Sequence, residues 1–386
     1  MTPETREAPA PMTALDQPSA GPDTAPHPGP PTGTGQAPPP AAPHTASRTA
    51  PPTGPDRTLT PAARAALAGS VPPSTRRAYA ADWRAFAAWC ASTGRTALPA
   101  TPETLVEYVT HLTVTPRERT GRPAAPASIE RALAAIRTLH GLAGAVPPEA
   151  KGARRVLDAH RHALALADDP AATPRRAEAA LPERLRAMVA AVDRSTPAGL
   201  RDVVILLLGY ATAARVSELA ALTVDRVRET EEGLLVTLYR RKIKKWTECA
   251  VPYGADPATC PVRATRALLA FLAGHGRTGG PLFVRIDRHG RIAPPMTRNG
   301  RPIGDPTGRM TAEAIAEAVT RAARAAGLPG RWTGHSLRRG FATAARRAEH
   351  TLEEIARHGG WDERSRALLG YIDDADKWSR NPVVGL

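Results

Sequence analysis

Late in this chain one stretch reads Trp332-Thr333-Gly334-His335-Ser336-Leu337-Arg338-Arg339-Gly340. An imidazole and a guanidinium three residues apart at a helix start project from one face. One can move a proton and the other can hold an anion. Upstream, Arg215 and Glu218 repeat that spacing at another helix start, in Arg215-Val216-Ser217-Glu218-Leu219. Between the two lies Tyr239-Arg240-Arg241-Lys242-Ile243-Lys244-Lys245; the chain has five lysines, so three within four positions is not background. Gly359-Gly360-Trp361 follows, then Tyr371, the only tyrosine of the last 130 residues. Each piece alone has an ordinary reading: a surface ion pair, a solvated turn, a polar helix start, two core aromatics. Their joint order carries the weight.

Such residues need a scaffold. From Pro61 to about residue 165 the pattern is helical. Ser74 can cap a helix whose apolar side is Tyr79, Trp83, Phe86 and Trp89, ended by Gly94. Thr101-Pro102-Glu103 is an N-cap, a first helical proline and an early acid, opening a helix with Leu105, Val106, Val109 and Leu112. Ile129, Leu133, Ile136 and Leu139 mark a third helix, and Val156, Leu157, His160 and Leu164 a fourth. The exposed faces carry Arg76, Arg77, Arg131, Arg137, Arg154, Arg155 and Arg161, whose shared sign suits a phosphate-facing side.

Residues 166–180, with the Arg175-Arg176 pair, read as a linker. From 181 to 386 the pattern is mixed, with helices near 182–193, 198–212, 215–223, 260–273, 311–326, 336–347, 352–358 and 364–371. A β-branched and aromatic run, Leu234 to Tyr239, and a shorter one, Cys249 to Pro252, predict two strands. The fold expected is mainly α, a helical domain followed by an α-rich domain with a small antiparallel sheet. Apolar residues at Trp378, Val383, Val384 and Leu386 suit a tail that docks on its own domain or on an adjacent subunit.

Composition narrows the function class. The 386 residues carry 52 Lys and Arg against 37 acids, a net charge of +15. Residues 1–60 hold three arginines and five acids, so the remainder carries +17, a balance that favours a polyanionic partner. Those first 60 residues also hold sixteen of the forty prolines and few large apolar side chains, a composition expected to remain disordered. Cys90, Cys249 and Cys260 are too far apart for a disulfide scaffold or a cysteine zinc module. No apolar run approaches a membrane span, and a cytoplasmic protein is expected.

The motifs above resemble the tyrosine recombinase (phage integrase) family, and within it the Cre-like branch. That pattern has an arginine in an Arg-x-x-Glu-Leu helix, a lysine in a β-turn, a His-x-x-Arg box, a His or Trp, and a tyrosine. The resemblance spans about 180–375, and a helical bundle like that of 61–165 is the family's core-binding domain. It implies that Arg215 and Arg338 hold the scissile phosphate, that Tyr371 is the nucleophile, and that Lys242 protonates the leaving oxygen, with Lys244 as the alternative. It further gives His335 a part in proton transfer, Trp361 an N–H donated to phosphate, and Glu218 a supporting role. Trp361 precedes Tyr371 by ten residues where the Cre-like pattern has nine; His358, just before the Gly-Gly-Trp, is the other group considered. Duplex DNA, met also by Arg76, Arg77, Arg131, Arg175, Arg176, Arg241, Lys244 and Lys245, is the implied partner, with four protomers in synapsis. No cofactor, metal or ATP is expected. A type IB topoisomerase and a catalytically silent DNA-binding factor are the alternatives.

Overall fold

The computed structural model describes residues 59–173, 175–377, 380, 381 and 383. Most of the proline-rich segment, together with Trp378, Val384 and Leu386 of the tail, lies outside them.

Proline opens most helices, in the first turn where a missing N–H costs nothing. In the amino-terminal unit these are α1 (Pro61–Ser70), α2 (Pro73–Ser92), α3 (Pro102–Val114) and α4 (Pro126–Leu142), followed by α5 (Lys151–Leu166). The bundle has five helices where the periodicity predicts four; α1 carries only Leu67 as a large apolar residue and leaves little pattern to read. Thr101 caps α3 as expected, its Oγ1 accepting from the Thr104 N–H at 3.2 Å. Phe86, Leu105, Val109, Ile129 and Ile136 are fully buried in its core, and the Phe86 and Tyr108 rings meet edge-on at 5.0 Å.

The second unit is built around α7 (Pro197–Ala211), whose residues from Gly199 to Gly209 are buried apart from Leu200. Before it comes α6 (Pro182–Ala190) and after it α8 (Val216–Ala221). An antiparallel sheet follows in the order β1 (Val227–Glu229), β2 (Gly233–Arg240), β3 (Lys245–Pro252). Its register sets Val236 against Cys249 and Arg240 against Lys245. β3 is longer than predicted, beginning at Lys245, and β1 is new.

The chain continues through α9 (Pro261–Gly274), an exposed two-stranded ribbon β4 (Met296–Arg298) and β5 (Arg301–Ile303), and α10 (Ala312–Ala325). It ends with α11 (Gly334–Arg347), α12 (Leu352–Gly359) and α13 (Arg366–Asp376). The last helix runs past Tyr371, which is therefore inside it and not at its end. The mainly α fold with a small antiparallel sheet is as the sequence predicts. Among the described residues no helix is long and apolar enough to cross a membrane.

Candidate active site

Two helix starts, one strand end and one helix end converge here. Between α7 and α8 the chain turns through Ala213, whose φ of 48° is left-handed backbone, a strain of roughly 1–2 kcal/mol for a residue with a Cβ. The turn aims two carbonyls at arginines: Thr212 O accepts from Arg240 Nη2 at 2.9 Å, and Ala213 O accepts from Arg338 Nη1.

Glu218 joins the first group. One carboxylate oxygen accepts from Arg215 Nη1 at 2.7 Å, the other from the Arg215 backbone N–H at 2.9 Å and from Arg240 Nη1 at 3.1 Å. Burial alone would raise its pKa, but the Arg215 N–H, the Arg215 guanidinium and Arg240 together hold it below the usual carboxylate range.

Arg240 is a residue the sequence reading missed. Fully buried, it donates Nε to Thr247 Oγ1 at 3.1 Å and Nη2 to Cys249 Sγ at 3.1 Å and His358 O at 3.0 Å. It thereby ties the α7–α8 turn to the sheet and to the end of α12. The signal was present: alternation along β2 puts Arg240 on the inward face with Leu234, Val236 and Leu238.

Arg338, in the first turns of α11, is also buried. Besides Ala213, its Nη1 donates to Gly359 O at 2.7 Å, and its guanidinium carbon lies 3.5 Å from the centroid of the Trp361 ring. Nη2 is buried without an acceptor. Burial pushes the pKa down to about 9, with repulsion from Arg215 next, which still leaves a cation at neutral pH. The Gly-Gly-Trp motif now has a physical basis. A Cβ on Gly359 would stand 1.8 Å from the Trp361 ring, and Gly360, at φ 62°, would set one 2.9 Å from Arg240 Cδ.

His335 follows Thr333, whose Oγ1 accepts from the His335 N–H at 3.2 Å and so starts α11. The imidazole keeps solvent access, yet its pKa is lowered, first by the desolvation of its protein-facing side and then by Arg338, Arg215 and Arg331. Tyr371 is half-buried and edge-on to Trp361, with ring centroids 6.3 Å apart. The ten-residue step from Trp361 to Tyr371 crosses the connection from α12 to α13 and the first turn of α13, and the two rings still meet.

Tyr371 and His335 line one cleft of about 540 Å³, with Arg175, Arg176, Arg331, Arg339 and Asp374. Asp374, one turn beyond Tyr371, accepts from Arg339 Nη2 at 2.6 Å and from Arg176 Nη1 at 3.1 Å. Arg215, Arg338 and Trp361 are not on the wall of this cleft; the contact of Trp361 with Tyr371 joins the two groups.

The lysines stand apart. Lys242 and Lys244 lie in the turn between β2 and β3, exposed, the latter at φ 53°, and Lys245 is the first residue of β3. No side-chain hydrogen bond or ion pair holds Lys242 among the described residues. Arg76, Arg77, Arg175 and Arg241 are exposed. Arg131 is committed to Asp82 through Nε and Nη2 at 2.8 and 3.0 Å, and Arg176 to Asp374. His358 serves the fold: its Nε2 is 2.7 Å from Ala211 O and its ring stacks on Phe341.

The pattern described as "Phage integrase family" matches residues 181–377. An "Integrase/recombinase xerD homolog" of Selenomonas ruminantium is 30% identical over 316 residues, covering 80% of this chain and 84% of that protein. "Recombinase cre" of Escherichia phage P1 is 24% identical over 302 residues, 76% of this chain and 82% of that one. Among solved structures, a XerH site-specific recombinase bound to a palindromic difH substrate aligns over 77% of this chain and 76% of its own, at 13% identity and a TM-score of 0.48.

Proposed function

The chain belongs to the phage integrase family of tyrosine recombinases, and on that premise we propose that it recombines duplex DNA at a specific site through a 3′-phosphotyrosyl bond formed by Tyr371. One observation carries the reading furthest: Arg338 presses on Trp361 at 3.5 Å, Trp361 meets Tyr371, and the buried Nη2 of Arg338 lacks an acceptor. An unpaired buried donor is costly, and a phosphate oxygen is the acceptor that suits a guanidinium best.

The chemistry then follows from the side chains. As a phosphodiester becomes pentacoordinate, charge grows on its non-bridging oxygens, and Arg215 and Arg338 stabilise it. The Tyr371 oxygen forms a bond to phosphorus as the bond to the 5′-oxygen breaks, and His335, kept neutral by its surroundings, takes the phenolic proton. Lys242 delivers a proton to the departing oxygen. Rejoining is the reverse, with a 5′-hydroxyl attacking the phosphotyrosine. Bond energy is conserved in that ester, so the reaction needs neither ATP nor a metal. Glu218 fixes Arg215 at 2.7 Å. In this reading the partner is duplex DNA carrying the recombination site, with four protomers assembled in synapsis.

A nicked duplex bearing the recombination site tests the proposal. Wild type should trap a covalent protein–DNA adduct and Tyr371→Phe should trap none; an adduct in the Phe variant, or none in wild type, overturns it. A 5′-phosphorothiolate, whose leaving sulfur scarcely needs a proton, should restore cleavage to Lys242→Ala. Restoration of Lys244→Ala instead transfers the general-acid role. Exchange between two sites, as opposed to relaxation of one supercoiled plasmid, separates recombinase from topoisomerase.

A further inference from the structure

The β4–β5 ribbon is an expense the fold does not explain. Every residue from Pro294 to Gly304 is exposed, so neither face of the ribbon is buried in the core. A lone two-stranded hairpin is marginally stable in water. It is closed by Asn299-Gly300 at φ 51° and 72°, the left-handed pair of a tight turn that matches strand twist. Arg285 grips its base, with Nη2 3.4 Å from both Pro294 O and Asp305 O.

Its charge is equally unexplained. Between residues 285 and 309 stand six arginines and two aspartates. At the tip Arg298 and Arg301 are direct cross-strand partners. Like charges so placed repel, and among the described residues neither guanidinium has an ion pair or a side-chain hydrogen bond. Two adjacent, unpaired guanidiniums on an exposed ribbon suit a backbone of closely spaced anions.

Position supplies the partner. Asp305 and Arg309, at the foot of the ribbon, line an open cleft of about 500 Å³ together with Arg241, the first residue of the lysine turn. The foot of the ribbon therefore stands across a cleft from the turn assigned above to the leaving group. We propose that β4–β5 is a DNA-contacting arm, its Arg298 and Arg301 engaging phosphates of the duplex beyond those held at the catalytic cleft. The inference rests on the recombinase reading and extends it to a contact that adds affinity without reading sequence.

The test is binding to unrelated 40-bp duplexes over a series of salt concentrations, with oligomeric state measured alongside. Removing two phosphate contacts lowers the slope of log affinity against log salt by about 2, at ~0.9 per phosphate. Arg298→Ala/Arg301→Ala should show that fall, with a loss of about tenfold or more near 0.1 M salt, equal on every sequence. Adduct yield at saturating protein should stay as in wild type. Arg298→Lys/Arg301→Lys should keep the wild-type slope, since charge and not shape makes the contact. If wild type binds and cleaves while the alanine pair matches it in slope and affinity, the arm does not touch DNA. A changed oligomeric state with an unchanged slope would mean that Met296 and Ile303, the exposed apolar pair at the base of the ribbon, dock protein instead. Failure of wild type to bind any duplex would remove the recombinase reading itself.

Discussion

The amino-terminal bundle buries Thr104 and His140 as its polar residues, whereas the carboxy-terminal unit buries Arg201, Asp202, Glu218, Arg240 and Arg338. The bundle's exceptions are settled locally: His140 Nε2 accepts from the Ala100 N–H at 2.9 Å, and Thr104 pairs with Thr101. Its core is otherwise aliphatic and aromatic, and its charges stay outside. In the second unit, ions removed from water are held by one another and by carbonyls. Such pairs add little net stability when intact and cost a great deal when one member is removed. The contrast indicates that the bundle is built to be stable, and that the second unit gives up some stability to hold cations at fixed positions.

The largest effect that could break this comparison comes from Glu218→Ala, which strands Arg240. It should lower the unfolding free energy of the second unit by about 3–5 kcal/mol, read by hydrogen exchange, and leave the bundle untouched. Phe86→Ala should do the converse, costing the bundle about 3–5 kcal/mol. If either substitution loosens both units equally, they are one cooperative body and the contrast dissolves.

Next comes Arg338→Ala, expected to slow cleavage by about 10²–10³-fold while DNA affinity stays within severalfold, one contact among many being lost. An equal fall in binding would make Arg338 a docking residue. The pH dependence is gentler. Because the folded-state pKa of His335 lies below the ordinary imidazole value of about 6.5, the ring stays neutral, and able to accept a proton, into more acidic solution. Single-turnover cleavage limited by free enzyme should hold level down through that value and decline only below it, and His335→Gln should lack this decline. A wild-type rate that falls at the ordinary imidazole value contradicts the assignment. Smallest is Arg131→Ala: its exposed pair with Asp82 is worth at most about 1 kcal/mol, and DNA affinity should scarcely change because the charge is already matched. A tenfold loss would show that the pair opens for phosphate.

Much of the fold is legible because helices announce themselves through prolines, threonine caps and an apolar stripe, as at Thr101-Pro102 and Phe86. The candidate site residues are picked out in the sequence by their spacing and order. What escapes does so for physical reasons. Arg240 sits in a run of basic residues that reads as a solvated turn, and only its place in the strand's alternation marks it as inward. The Asn299-Gly300 pair is a hairpin signal, but the strands beside it lack the apolar alternation that draws the eye. The strained Ala213 leaves no trace in sequence, since its φ is imposed by what its carbonyl must reach. Of the tail residues expected to dock, Val383 is described and is exposed.

The pinning of Arg338 has a stereochemical corollary. With Nη1 turned to the carbonyls of Ala213 and Gly359 and one planar face against the Trp361 ring, the guanidinium has a single edge, that of Nη2, left without a partner. The two non-bridging oxygens of a DNA phosphodiester are diastereotopic, pro-R and pro-S, and in the proposed reading a rigid edge of that kind meets only one of them. A backbone in which one such oxygen is replaced by a neutral methyl group thus comes in two hands that this protein should not treat alike.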